Sequence, residues 1–375
     1  MFERKINRIE LRNFKCHKDV GLNFGDINIF TGANAAGKSS IIQALLLAFK
    51  SWEEYEKKSV NANQVYGLNL GLPINILSEN REKNIIEIVL QIGSCSNRIE
   101  LSLPSEDEED IFFRISNSEE IAEQNACNCS LKKKNMIFLN AERQGPRIVS
   151  FIKENSSYSV GNIGENTAYV ISEMDKLQKL NGGFKLPKEL KSSKIERFSA
   201  NCEEWLNVII PDTGIQYSVD MERNLTTLRF KNKGELYLPV STGFGITYVF
   251  PIIVQALAAS VIENSILIVE NPEAHLHPLS QSMLGKFLAL AALSGVQLFI
   301  ETHSEHIIDG CRIQMAKMKK CEQMKIFFFE KEGNTSLIHE INVFENGELE
   351  EWPEGFFDQK QMDLRELLEM RRCQK

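Results

Sequence analysis

The chain has 375 residues, 43% hydrophobic and 25% charged, with a formal net charge of −8. That mix is typical of a soluble globular protein with room for one large domain or two small ones. No apolar run reaches the ~18 residues of a membrane span, and MFERKINRIE lacks the apolar core of a secretory signal. The expectation is a cytoplasmic chain whose acidic balance confines any nucleic-acid contact to a local patch or a partner. Eight cysteines are scattered at 16, 95, 127, 129, 202, 311, 321 and 373. Cys127 and Cys129 have no second Cys or His pair at zinc spacing, so they read as reduced thiols rather than metal ligands.

In chain order, INRIEL, VGLNF and INIF read as short strands. TGANAAGKSS is a loop, and IIQALLLAF an apolar helix. IIEIVLQI and RIELSL read as paired strands, SEDEED (105–110) as a solvated acidic loop, and NMIFLN as a short strand ending at AERQGPR. From about 164 to 209 the period becomes helical. Ile195, Phe198, Cys202, Trp205, Leu206 and Ile209 share one face, with NGG (181–183) and Pro187 as punctuation. GIQYSV, TTLRF and LYLPV are strands again, and STGFGITYVFPIIVQALAAS runs into a helix. SILIVE and VQLFIET are buried strands without alternation, as parallel strands covered on both faces require. Two helices follow them, LSQSMLGKFLALAAL and SEHIIDGCRIQMAKM. KIFFFEK and SLIHEINVF form a closing hairpin, followed by EEWPEGFFDQ and a short helix. The tail aromatics Trp352, Phe356 and Phe357 either plug a groove or dock a partner.

This order gives an α/β fold with a twisted mixed sheet flanked by helices and an antiparallel N-terminal β lobe. The expected divisions are 1–150, a helical insertion at 151–210 that projects from the body, 211–344, and a C-terminal segment at 345–375.

The strongest chemical signal is Gly32-Ala-Asn-Ala-Ala-Gly37-Lys38-Ser39, a P-loop pattern between a strand and an apolar helix. Backbone N–H groups of such a turn face phosphates. Lys38 neutralises β/γ charge, and the Ser39 hydroxyl is a Mg²⁺ ligand. SILIVE ends at Glu270, where a buried carboxylate needs a cationic partner, supplied by a Mg²⁺ held with Ser39. Ser241, Gly243 and Gly245 form a second anion-favouring helix mouth, which makes sense if it caps a nucleotide held by another copy. VQLFIET continues into His303, placed to reach a γ-phosphate.

Together these motifs resemble ABC-type ATPase heads of the SMC/Rad50/RecF and OLD-like class. AERQGPR, VENPEAHLHP, IETHSEH and EEWPEGFFDQ are most similar to bacterial AAA/OLD-like ATPases often found in antiphage defence systems. The resemblance implies that Gly32, Asn34, Gly37, Lys38, Ser39 and Ser40 bind ATP·Mg²⁺. It makes Ser241, Gly243 and Gly245 a signature loop acting in trans, Glu270 the Walker B acid and His303 the switch histidine. Lys15 matches a basic position near the phosphates, and Gln144 a glutamine-loop residue. It also implies a dimer or higher oligomer closed around ATP, regulating a separate effector such as a nuclease. The alternatives are a RecF/Rad50-like repair ATPase that binds DNA directly, and an ATP-binding switch with little hydrolysis.

Asn271 departs from the family pattern, because a water-activating glutamate belongs there. Asparagine orients water but cannot take its proton, so Glu273 is the candidate base and slow hydrolysis is expected. No clustered acids of a Toprim nuclease follow His303, so the chain is not expected to cut nucleic acid itself. The basic clusters KKK (132–134), KELKSSK (188–194) and KMKK (317–320) would give at most a weak, salt-sensitive DNA contact.

Overall fold

The computed structural model describes residues 5–373 apart from 80, 82, 104–109, 128, 154–157, 181, 182, 233, 242 and 334. Most of the acidic run, two residues of NGG and Thr242 of STGFG therefore lie outside the described residues.

At the centre is a six-stranded mixed sheet. Its spatial order is Thr335–Asn342, Met324–Glu332, Ile27–Gly32, Gln297–Glu301, Ser265–Glu270 and Asn135–Leu139. All neighbours run parallel except the closing hairpin of the first two. Every residue of SILIVE is buried. Ile266 and Ile268 face one apolar cluster, Leu267 and Val269 the other. A strand alternates its side chains, and with both faces covered the alternation disappears from the sequence.

On one face lie the P-loop helix Lys38–Glu53 and a six-stranded antiparallel sheet. Its order is His17–Asn23, Ile6–Phe14, Ile85–Ile92, Cys95–Ser102, Phe112–Ile115 and Ser59–Asn61. Buried Gln297 joins the two sheets: it accepts from Ile6 N–H at 2.9 Å and donates to the Ile6 carbonyl at 2.7 Å. On the other face lie the helices Thr167–Lys179, Phe198–Ile209, Phe244–Ala259, Pro278–Leu293 and Glu305–Lys317. A small antiparallel sheet of Ser150–Phe151, Thr213–Asp220, Leu225–Asn232 and Glu235–Tyr237 adjoins them.

The described helices of 151–210 pack on the body rather than project from it. Val170, Ile171, Met174, Phe198, Cys202, Leu206 and Ile209 are buried in the main core. Trp205 packs tilted against Phe287 at 4.8 Å and donates to the Leu190 carbonyl. Ile195 is the exception to the expected face. The helix starts only at Phe198, and Ile195 is 63% exposed before it. In the tail, Phe356 is buried edge-on against Phe328 at 5.4 Å and so fills a groove of the head, while Trp352 is half exposed above it.

Candidate functional site

The P-loop is built by close approach. Gly32 ends its strand at φ +129°, and a Cβ there would lie 2.1 Å from the Phe329 carbonyl oxygen. Gly37 turns into the helix at φ +101°, with Cys16 Sγ and the His17 ring over it. Only glycine takes both positions without strain. His17 is buried and hydrogen-bonds the Gly37 carbonyl at 3.1 Å. The NFKCH hairpin therefore roofs the loop. Lys15, in that hairpin, lines the same cleft as Cys16, Gly37, Lys38, Ser39 and Ser40, and its Nζ donates to Gln43. Asn34 is exposed at the loop's tip.

Lys38 is buried, and its ammonium donates to the carbonyls of Gly32 at 3.0 Å and Ala33 at 2.7 Å. Burial pulls its pKa below the usual lysine range, with the charge of Glu301 acting in opposition. Ser39 Oγ donates to Glu301 Oε1 at 2.9 Å. The sequence reading paired Ser39 with Glu270 alone; the strand order corrects this. The Gln297–Glu301 strand lies between the P-loop strand and the Glu270 strand, and Glu270 and Glu301 are register partners.

These two carboxylates are the electrostatic centre of the site. Glu270 is 8% exposed and Glu301 6%. Burial first, and the charge of Glu301 second, push the Glu270 pKa up to about 7. Burial also raises Glu301, against the Ser39 hydrogen bond and Lys38. Glu301 Oε2 is buried without a hydrogen-bond partner. Two buried acids, one with an orphaned oxygen, beside a serine hydroxyl suit a hard divalent cation such as Mg²⁺. Ser39, Glu270 and Glu301 are the residues that fit it.

Beyond Glu270 the chain turns sharply. Asn271 has φ +43°, a region that asparagine tolerates better than most residues. Its N–H bonds the Glu301 carbonyl at 2.8 Å, and its Oδ1 is buried without a partner. Glu273 folds back onto the neighbouring strand end. It accepts from Thr302 Oγ1 and from His303 N–H, both at 2.7 Å. Burial and the nearby charge of Lys38 lower the His303 pKa. Glu273 and His303 thus meet across the ends of two neighbouring strands, within the electrostatic reach of Lys38 and Glu301.

Arg143 was missed by sequence reasoning, which took its neighbour Gln144 from AERQGPR. Arg143 is 3% exposed and donates to the carbonyls of Asn140, Glu270 and Asn271. Its guanidinium also lies over Tyr248, 5.5 Å from the ring centroid. Gln144 does not line the P-loop cleft. It lines a separate cleft with Gly145, Thr167, Thr247 and Pro251.

Ser241 and Gly243 are exposed before the helix Phe244–Ala259. Gly245 backs onto the His275 carbonyl, and a Cβ at Gly243 would meet open space. His275 packs against Phe244 at 5.5 Å and Tyr248 at 4.7 Å. His277 caps the following helix through Nδ1. The HLH histidines therefore pack and cap, as loop residues do.

Residues 27–309 match the family described as "AAA domain, putative AbiEii toxin, Type IV TA system". Residues 320–367 match "Protein of unknown function (DUF3696)". Short stretches are similar to Structural maintenance of chromosomes proteins 6A and 6B of Arabidopsis thaliana. The identities are 52% over 46 residues and 47% over 45, in each case 12% of this chain and only 4% of the relative. The SmcHead bound to the C-winged helix domain of ScpA is similar at TM-score 0.53 and 13% identity, over 90% of this chain and 98% of that one. An Smc head domain with an extended coiled coil, bound to the C-terminal domain of ScpA and derived from Pyrococcus furiosus, gives TM-score 0.54 and 12% identity, over 97% and 99%. At such identities the likeness is one of fold. No helix among the described residues is long and apolar enough to cross a membrane. By its match over residues 27–309 the chain belongs to this AAA-domain family, on the fold of an SMC-type P-loop ATPase head.

Proposed function

We propose that the chain binds ATP with Mg²⁺ in the P-loop cleft, closes as a two-fold dimer around two nucleotides, and hydrolyses them slowly. The observation that carries this reading is the separation of the two halves of the site. Lys38, Ser39, Glu270, Glu273, Glu301 and His303 gather at adjoining strand ends. Ser241 and Gly243 lie exposed elsewhere, with Gly245 against His275. A helix mouth that favours anions but does not line its own chain's P-loop cleft suits a nucleotide held by a second copy.

In this reading Lys38 and the loop N–H groups hold the β- and γ-phosphates, and Lys15 adds charge from the roof. Ser39, Glu270 and Glu301 hold the cation, which supplies charge neutralisation to the phosphates. Asn271, with a free amide oxygen, orients the attacking water. Glu273 takes its proton, and His303 contacts the γ-phosphate. Arg143, Tyr248 and His275 link the signature helix to the Glu270 strand end. Capping the partner's nucleotide is thereby felt at the chain's own site.

The cycle serves a sensor or regulatory subunit of a bacterial antiphage defence complex that controls a separate effector of nuclease type. Two findings support this. The family's description names a toxin of toxin–antitoxin systems. A solved head of this fold is bound to another protein's winged-helix domain.

The test is ATP binding and turnover by the purified chain, compared with Lys38→Ala. The reading expects binding and slow turnover that Lys38→Ala abolishes. Equal turnover in both proteins sinks it. Strong ATP-dependent DNA binding by the chain alone, weakening between roughly 50 and 200 mM salt, would instead favour a repair ATPase acting directly on DNA.

A further inference from the structure

Outside the nucleotide site, two neighbouring cysteines meet a third that lies 32 residues earlier in the chain. Cys95 opens the strand that follows the two-residue turn Gly93-Ser94. Cys127 and Cys129 lie in the loop after the helix Ser118–Gln124. Their sulfurs all lie within 4.8 Å of one another, and Cys95 Sγ is 3.2 Å from Cys127 Sγ across 32 residues of chain. Each side chain is half-buried.

We propose that Cys95, Cys127 and Cys129 form a three-thiolate site for a soft divalent cation of the zinc type, with the fourth position left to solvent. Zn–S bonds of about 2.3 Å at tetrahedral angles place sulfurs about 3.8 Å apart. The Cys95–Cys127 spacing of 3.2 Å is within 1 Å of that value and no pair exceeds 4.8 Å, so binding needs only small side-chain rotations. A disulfide, by contrast, joins two sulfurs at about 2.05 Å and leaves the third unused.

The surroundings hold the sulfurs in place. The Cys129 N–H points at Cys127 Sγ, 3.5 Å away. Asn97 holds the Cys129 carbonyl at 3.2 Å and so fixes the loop against the strand. Three thiolates and one divalent ion carry a net charge of −1, and Lys132, Lys133 and Lys134 stand in the next turn of chain. The KKK run, otherwise a solvated face, becomes the counter-charge of the site.

The site also has something to hold. Asn125, two residues before Cys127, accepts from Trp52 Nε1 at 2.7 Å and from Ser130 Oγ at 3.0 Å. Trp52 lies in the last turn of the P-loop helix. A bound ion would clip the sheet hairpin to the loop that anchors the far end of that helix. It would do so by ligation across a long loop, which constrains the unfolded chain most.

The test is a titration of the reduced, metal-free, nucleotide-free full chain with Co²⁺ and then Zn²⁺. Thiolate-to-cobalt charge-transfer absorption and displacement by zinc are read. The expected result is one ion per chain with thiolate absorption, unchanged in Lys38→Ala. Cys95→Ser, checked for folding by circular dichroism, weakens binding at least about tenfold. The double variant Cys127→Ser/Cys129→Ser removes the absorption. Binding without thiolate absorption, or equal binding by Cys95→Ser, overturns the proposal. So does purified protein that is two hydrogens lighter, with Cys95 joined to Cys127.

Discussion

Replacing Glu301 by glutamine tests the two-carboxylate centre, because it should act in opposite directions with and without the cation. Glutamine keeps an acceptor for Ser39 Oγ but removes the charge beside Glu270. Glu270 has a folded pKa of about 7 against an ordinary 4.5. A carboxylate raised in the folded state stabilises the fold only at low pH, and that contribution falls as pH climbs from 4.5 through 7. Above pH 7 the penalty at Glu270 is about 3 kcal/mol. Burial is the larger cause and Glu301 the smaller, so Glu301→Gln relieves about 1 kcal/mol, a gain of about 1–2 °C. Thermal unfolding at pH 8 in EDTA should show that gain, and at pH 5 it should shrink because Glu270, with its pKa at about 7, is then protonated. With Mg²⁺ and nucleotide the sign reverses. The variant loses a ligand and should need about 10–100-fold more Mg²⁺ for half-maximal stabilisation. A variant less stable than the parent at pH 8 in EDTA, or one with an unchanged Mg²⁺ requirement, would refute the reasoning.

Three further outcomes follow from the same geometry. Lys38→Ala should abolish ATP binding while leaving circular dichroism unchanged, since the ammonium bonds only loop carbonyls. Residual nucleotide affinity in equilibrium dialysis would count against it. Glu273→Gln should lower turnover at least about 100-fold yet keep nucleotide bound, and parental turnover would remove Glu273 as the base. Asp175 is buried, which alone would raise its pKa. Hydrogen bonds from Ser199 N–H, Arg197 and Tyr217 hold it below the usual range. Its contribution is therefore present above pH 3.8 and lost as pH falls further. Asp175→Asn should flatten the acid limb of a stability–pH curve, and an unchanged limb would contradict the assignment.

The sequence carried the P-loop plainly, because a glycine-rich turn between an apolar strand and an apolar helix has few other meanings. It also carried the strands ending at Glu270 and Glu301, since parallel strands covered on both faces leave unbroken apolar runs. The role of Glu301 was not legible. His303 stood out beside it, and only the strand order, with a crossover between sequence-distant strands, sets Glu301 against Ser39. Arg143 was hidden for a similar reason: two of its three carbonyl partners lie more than a hundred residues away, and carbonyls leave no mark in a sequence. Spacing rules dismissed Cys127 and Cys129 because their third partner arrives on a hairpin. The helical period at 195–209 was real from Phe198 onward, but amphipathicity alone does not say whether a helix packs on the body or projects from it.

The claim that each site is built from two chains is tested most directly by mixing two inactive variants. Lys38→Ala lacks a working P-loop, and Ser241→Arg blocks the signature loop. If sites form in trans, random pairing makes half of the dimers mixed, each with one intact site of two. A 1:1 mixture should then regain about a quarter of parental ATP turnover. A mixture no more active than the two variants measured apart would contradict the shared-site account.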